Sequence, residues 1–406
     1  MPDTASLLLV THVHMRQGPR GLQIDEQTAA GIEQWCHYFD SVTYYGIMAG
    51  GRSAEAGSTA WVDTNDGLIG ARATFRALPY AYNLGKMVAS YRPVRAELRR
   101  AIAEHRHLCF TLGSVIGDWP CVAALEAIGQ KRRYSAWIDR VEPAIIRTRL
   151  KRSPVKRLAA EIAMPFAQGV TRYILRKSAV ALLQGGDTFD YYARSAPNPH
   201  CTYDTHTRVE EEIAPDALAR KQARVVSGAP LNIIYAGRAT AMKGPFDWLQ
   251  VLERLHRHHV PFRATWIGDG PDLPAIRQRV ADLGLTHAVD LPGFENRRDI
   301  LLQQLRDSEL LLFCHKTPES ARCLIEALVC GCPIVGYDTS YPRRLTAQGG
   351  GVLAPRNNVA ALARRVMDLH QDRTALSQLI VDAAASGTLY SENAVYGYRA
   401  ELMRLG

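Results

Sequence analysis

Two α/β domains, each a parallel sheet covered by helices, are what this sequence of 406 residues predicts. Three observations lead there. The length exceeds one ordinary core, so two domains of roughly 200 residues are expected. Apolar content of 47% with 22% charge marks a globular chain, not a disordered one. The C-terminal half alternates short apolar runs with helical periods, the pattern of a parallel sheet with crossover helices.

In the N-terminal half, LLLVTHVH reads as a first strand, followed by a Gly/Pro/Arg loop, MRQGPRGLQ. A helix is expected through about 26–39, then a strand at SVTYYGIM. HLCFTLGSVIG (107–117), YSAWID (134–139) and AVALLQGG (179–186) are further strands, the last of them closing the domain. Residues 187–230 show no period and read as an irregular segment leading to a linker. In the C-terminal half, strands are expected at 231–237, 263–268, 288–293, 309–314, 333–338 and 351–354. Helices are expected at 245–258, 273–283, 297–306, 319–330 and 359–371. Such a Rossmann-like sheet binds its ligands at the carboxyl ends of the strands.

The N-terminus, MPDTASLLLVTHVHM, carries an acid at position 3 and no basic leader, and its apolar run is too short for a signal peptide. No run reaches membrane-spanning length, so a cytoplasmic protein is expected. The eight cysteines make no CxxC, only Cys330-x-Cys332, and Cys109, Cys314 and Cys323 read as small buried hydrophobes. No Asp-x-Asp occurs, so the simplest carboxylate clamp for a metal-bound nucleotide is missing and no metal is expected. The net charge of +9 is concentrated: from Lys131 to Lys177 there are thirteen Lys/Arg against three acids, a local +10. Any partner of that segment is anionic.

Two stretches carry chemistry. In IIYAGRATAMKGPFDWLQ (233–250), a buried-looking strand ends at Gly237, Arg238 and Lys243 follow, and Gly244-Pro245 opens an amphipathic helix. Two cations between a strand tip and a helix start suit a polyanion; solvated loop charges are the plain alternative. In LLFCHKTPESARCLIEALVCGCPIVGYD (311–338), Thr317 is a good N-cap and Pro318 suits the first helical position. Glu319 and Glu326 are seven residues apart, which returns to within roughly 20° of the same helix face.

YAGRATAMKGPFDWLQVLERL, WIGDGPDLPAIRQRV, VDLPGF and TPESARCLIEALVCGCPIVGYD, in this order and spacing, resemble glycosyltransferase family 4, the retaining nucleotide-sugar enzymes of GT-B fold. The resemblance covers 231–371 well and the first 225 residues in outline. It implies two Rossmann-like domains facing a central cleft: residues 1–225 for the acceptor and 226–386 for the donor. A C-terminal helix, 387–406, would cross back to the first domain. It implies that Arg238 and Lys243 hold the donor diphosphate and that Glu326 binds the ribose. Glu319 would contact the sugar, although the family's first glutamate falls where this chain has Pro318. The amides near Ser320 and Ala321 would face the phosphates, Gly268 and Gly270 would shape a loop beside the nucleotide, and Phe294 would lie near the base. Gly18 and Gly21 would bring the first loop close to the donor, with Arg16 and Arg20 as candidate charges. His12, His14, Asp118 and Asp139 are acceptor-side candidates.

The implied function is a metal-independent, hexosyltransferase-like retaining glycosyltransferase. It needs no cofactor beyond its nucleotide-diphosphate sugar, UDP or GDP first. The acceptor is a lipid-linked saccharide for a cell-surface glycan or, close behind, a small molecule in natural-product biosynthesis. The basic amphipathic stretch Val155, Leu158, Ile162, Phe166, Val170 and Ile174 suits peripheral contact with an anionic inner membrane face, with Pro165 kinking or splitting it. Nucleic acid is a poor choice, because aromatic interleaving and a recognition motif are absent. A GT-B phosphorylase or epimerase would use the same diphosphate site, and a non-catalytic nucleotide-sugar regulator would bind without turnover.

Overall fold

A computed structural model describes residues 5–49, 60–113, 117–143, 154–317 and 320–405, the side chains of 68 and 154–162 excepted. Packing divides the chain into two units, Met1–Thr202 with Tyr396–Gly406, and Tyr203–Val395.

The first unit is built on β1 (Ser6–Gly18), β2 (Gly21–Asp25), β3 (Ser41–Met48), β4 (Trp61–Asp63), β5 (Ala73–Leu78), β6 (His107–Thr111), β7 (Ser135–Ile138), β8 (Val180–Gln184) and β9 (Pro199–Thr202). Its parallel sheet runs β5-β3-β1-β6-β7-β8-β9. Strand alternation sends Leu7 and Leu9 to one face, where they pack with Trp35 and with Tyr396, Ala400 and Met403 of the helix Glu392–Leu405. Leu8 and Val10 go to the other face, against Leu98 and Ile102 of the helix Leu84–Glu104 and Ala123 and Ala127 of the helix Trp119–Gly129. The helix Glu26–Tyr38 starts where the sequence suggested, because Asp25 caps it by accepting from the Thr28 amide at 2.9 Å.

Several expectations for this half are corrected. The glycine loop after the first strand is a hairpin: β1 continues to Gly18, pairs antiparallel with β2 across Gly18 and Gly21, and leaves only Pro19-Arg20 as the turn. The strand expected over 107–117 ends at Thr111. Residues 187–230 are not irregular. They hold the helix Gly186–Tyr192, then β9, then the helix Pro215–Val226. That last helix buries only Lys221 and Val225. The helix Pro154–Lys177 runs on through Pro165 as one element. Of its proposed apolar stripe, Ile174 is buried, Phe166 is 72% exposed, and Val155, Leu158 and Ile162 fall outside the described side chains.

The second unit holds β10 (Leu231–Ala236), β11 (Phe262–Ile267), β12 (Val289–Gly293), β13 (Leu310–Phe313), β14 (Ile334–Tyr337) and β15 (Gly351–Ala354). All six were expected, within a residue or two at each end. They form a parallel sheet in the order β12-β11-β10-β13-β14-β15. The helix Pro215–Val226 packs here: Val225 joins the core, and the buried Lys221 ammonium donates to the carbonyls of Leu305 and Cys330. The packing division therefore falls at 202/203 and 395/396, in place of the expected 225/226 and 386/387.

Candidate functional site

In the second unit the strand order reverses between β10 and β13, and this is where a doubly wound sheet opens a crevice beyond its strand ends. A cavity of about 800 Å³ lies there, its wall including Arg238, Lys243, Gly268, Phe294, Ser320, Ala321 and Glu326. The chain thus gathers seven separately expected residues around one space. Gly270 does not line it, Gly18 and Gly21 belong to the other unit, and Pro318 and Glu319 lie outside the described residues.

The two cations are placed by backbone geometry. Arg238 is exposed one residue past Gly237, and among the described residues its guanidinium makes no ion pair. Lys243 ends the 3-10 turn Ala241–Lys243 and is half-buried. Gly244 follows at φ 68°, and a Cβ there would sit 2.0 Å from the Cys314 carbonyl oxygen. Glycine is therefore required for the turn to lie against the end of β13 and for the helix Pro245–Arg257 to begin. Asp247, in the first turn of that helix, is buried. It takes the Lys316 ammonium at 2.7 Å and a hydrogen bond donated by the Tyr337 hydroxyl at 2.7 Å, tying the loop after β13 to the helix start.

Below the cations, the Tyr235 hydroxyl and His315 Nε2 share a hydrogen bond of 2.6 Å. Burial, with the Lys243 charge adding to it, pushes the His315 pKa down to about 2, so the imidazole stays neutral. The Gly268-Asp269-Gly270 loop supports the Arg238 loop through backbone contact: the Ala239 amide donates to the Asp269 carbonyl at 2.9 Å. A Cβ on Gly268 would come within 2.1 Å of the Gly237 carbonyl oxygen. These glycines permit close packing of two loops.

The helix expected from 319 starts instead at Arg322, with Ala321 as its N-cap residue and no side-chain cap. Ser320 and Ala321 precede the helix, so its first-turn amides begin at Arg322. Thr317 does not cap; Arg322 instead approaches Asp204 at 3.8 Å. Cys323 is half-buried in the cavity wall, not in the core. Phe294 is 76% exposed at the rim, which separates it from an ordinary core aromatic. Glu326 is not isolated. Its Oε1 accepts from Arg298 at 2.7 Å, and Arg298 is bidentate to Glu211 at 2.8 and 2.9 Å. Sequence reasoning missed Arg298 and Glu211, because their partners are 87 and 28 positions apart.

In the first unit, the crevice between β1 and β6 holds a second cluster. His12 Nε2 stands 3.6 Å from Asp139 Oδ2, and the Gly113 amide donates to Asp118 Oδ2 at 2.8 Å. Burial opposes the charged imidazole, but Asp139 outweighs it and raises the His12 pKa. Burial pushes the Asp118 carboxyl up to about 7, against the lowering effect of His12. His14 stands apart, 6.3 Å from the rings of Tyr80 and Tyr82. In the hairpin, Arg20 is paired with Asp63 and Asp66, and Arg16 lies over Trp61 while bonding Gln23 at 2.7 Å.

Among the described residues, no helix is long and apolar enough to cross a membrane, and no group of three His, Cys, Asp or Glu is placed to hold a metal ion.

Residues 219–385 match the family model described as glycosyl transferases group 1. The 2-deoxystreptamine N-acetyl-D-glucosaminyltransferase of Streptomyces fradiae is 27% identical over 211 residues, 50% of this chain and 49% of that protein. The amylovoran biosynthesis glycosyltransferase AmsK of Erwinia amylovora is 26% identical over 182 residues, 43% and 44% of the two chains. The matches thus span about two-fifths to one half of the relatives' length. Anabaena HepE, crystallised in complex with UDP, superposes with a TM-score of 0.64 at 14% identity, over 98% of both chains. That likeness establishes the fold as GT-B, two Rossmann-like units in one chain. Through residues 219–385, the chain is similar to the group 1 glycosyl transferases.

Proposed function

We propose that this protein is a retaining glycosyltransferase that moves a sugar from a nucleotide-diphosphate sugar to an acceptor hydroxyl. The observation that carries this reading is the 800 Å³ cavity at the sheet's reversal point, with Arg238, Lys243 and Glu326 on its wall. Arg238 and Lys243 take the two phosphates, and the first-turn amides of the helix Arg322–Val329 add donors at the positive end of its dipole. As the bond to the sugar breaks, negative charge grows on the departing phosphate, and interactions with the two cations strengthen. Neutral His315 adds no charge beneath them.

Glu326 accepts from the ribose hydroxyls, oriented by Arg298, and Phe294 covers the base at the rim. Glu319 is assigned to the sugar hydroxyls. UDP is the first candidate donor nucleotide, since HepE of the same fold was crystallised with it. The two cations take the part a metal would otherwise play at the diphosphate, so turnover continues in EDTA. A saccharide on a lipid carrier is the acceptor class favoured by the positive balance of segment 131–177, which also suits contact with an anionic membrane face. His12, Asp118 and Asp139 are its contacts in the first unit.

The test is incubation with UDP- and GDP-sugars, with and without saccharide acceptors, following release of nucleoside diphosphate and the anomeric proton of the product by NMR. Acceptor-dependent release with the donor's anomeric configuration retained supports the reading. Binding without turnover for every donor and acceptor class, or an inverted product, sinks it.

A further inference from the structure

A second basic site lies at the other end of the first unit's sheet. A cavity of about 360 Å³ opens at the entry ends of β6 and β7, lined by Arg106, His107, Lys131, Arg132, Arg133 and Arg404 among others. His12, Asp118 and Asp139 cluster at the exit ends of these strands and of β1, so this cavity is separate from that cluster. Its volume is near the small end of the roughly 300–1,000 Å³ range of small-molecule sites. No acidic residue lines it, and among the described residues none of its five Lys/Arg side chains forms an ion pair.

Two of these cations, Arg132 and Arg404, are held by packing and carbonyls, not by counter-charges. Arg132 donates to the carbonyls of Ile102 and His105, both at 2.5 Å, where the helix Leu84–Glu104 ends. The Arg404 guanidinium sits 5.3 Å from the Phe39 ring centroid and donates to the Tyr38 carbonyl. Lys131 has a left-handed backbone, φ 55°, just past the helix Trp119–Gly129. There the Lys131 amide donates to Ile128 and the Arg132 amide to Ala127, at 3.0 and 2.9 Å, a helix-ending turn that normally takes glycine. Lys131 at this position lines the cavity. His107 reports the field: burial lowers its pKa, and Arg106 and Arg404 lower it further against a contact from the Met403 carbonyl.

We infer that this cavity binds a phosphate-bearing anion, a phosphomonoester or pyrophosphate group, at a site distinct from the strand-end cavity of the second unit. Five cationic residues line one cavity that no carboxylate lines, and a multivalent oxyanion there would accept charge-assisted hydrogen bonds from those whose N–H groups reach it. The group is either the headgroup of an anionic lipid or a soluble phosphate compound. The first source would give the basic segment that begins at Lys131 a defined point of attachment.

The full chain, with carbon-13-labelled histidine, is titrated with pyrophosphate against sodium chloride of equal ionic strength. The His107 resonance should move saturably, and its titration midpoint should rise as the anion offsets Arg106 and Arg404. Lys131→Gly keeps the turn and removes the charge, so it should melt no lower than wild type. Combined with Arg133→Gln, it should weaken the pyrophosphate effect on His107 at least tenfold. Vesicles of phosphatidylcholine with and without phosphatidic acid then separate the sources. Sedimentation with the anionic vesicles that is lost in the double variant assigns the lipid headgroup. Pyrophosphate binding with no such sedimentation assigns a soluble ligand. A His107 response no larger than that to chloride, or a folded double variant that responds as wild type does, overturns the proposal.

Discussion

Replacing Glu326 by glutamine separates a ligand-binding carboxylate from a structural one. Glu326 Oε1 is occupied by Arg298 at 2.7 Å, and Arg298 keeps two further bonds to Glu211 at 2.8 and 2.9 Å. The Arg298 side chain is 36% exposed, so an amide that still accepts one hydrogen bond should leave the fold nearly unchanged, within about 1 kcal/mol. In the proposed complex, the ribose contacts the remaining carboxylate oxygen. Losing a charge-assisted hydrogen bond there costs about 1.5–3 kcal/mol, roughly a tenfold to 150-fold loss of affinity. Calorimetric titration of UDP and 2′,3′-dideoxy-UDP into both proteins, beside their melting temperatures, reads out the two effects. Wild type should prefer UDP strongly and Glu326→Gln should bind the two nearly alike, with a melting temperature close to wild type. A variant that discriminates between the nucleotides as wild type does, or that loses affinity only in step with a large fall in melting temperature, refutes the assignment.

Three further outcomes are expected. Asp118, with its carboxyl at about 7 in the fold, holds its proton across the window from its ordinary 3.8 to 7, where the unfolded chain has lost it. Its contribution to stability is therefore full below about pH 4 and is lost as pH rises through 7; Asp118→Asn should gain on wild type by up to about 4 kcal/mol at pH 8 relative to pH 4. Melts that show the same difference at both pH values contradict this. Gly244→Ala should lower stability by more than about 2 kcal/mol, combining the left-handed backbone with the 2.0 Å approach to the Cys314 carbonyl oxygen, and an unchanged denaturation midpoint would argue against that packing. Donor turnover should persist after EDTA treatment; complete loss restored by Mg²⁺ or Mn²⁺ would show that the cations alone do not support the leaving diphosphate.

The second unit was legible because its strands are buried on both faces and read as unbroken apolar runs, such as Ile233 to Ala236 and Leu310 to Phe313. Arg238, Lys243 and Gly244 were legible because a strand tip, a turn and a helix start are all local. Arg298 was not, since a long-range ion pair leaves no periodic trace. The helix Leu84–Glu104 went unseen because only Val94, Leu98, Ala101 and Ile102 of its 21 residues are buried. The β2–β4 ribbon was hidden too, since a polar contact from Gln23 to Asp63 at 2.9 Å crosses it and no apolar alternation marks it. Thr317 and Pro318 carry good helix-start chemistry, yet the helix begins at Arg322, with Ala321 before it and no side-chain cap.

The most direct test of the diphosphate site is calorimetric titration of UDP and GDP into wild type, Arg238→Ala and Lys243→Ala at low and moderate salt. Wild type should bind at least one of the two. Each substitution should weaken that binding by about 1.5–3 kcal/mol, roughly tenfold or more, with a shallower salt dependence. Equal affinity in wild type and in folded Lys243→Ala and Arg238→Ala would place the diphosphate elsewhere and contradict the account at its centre.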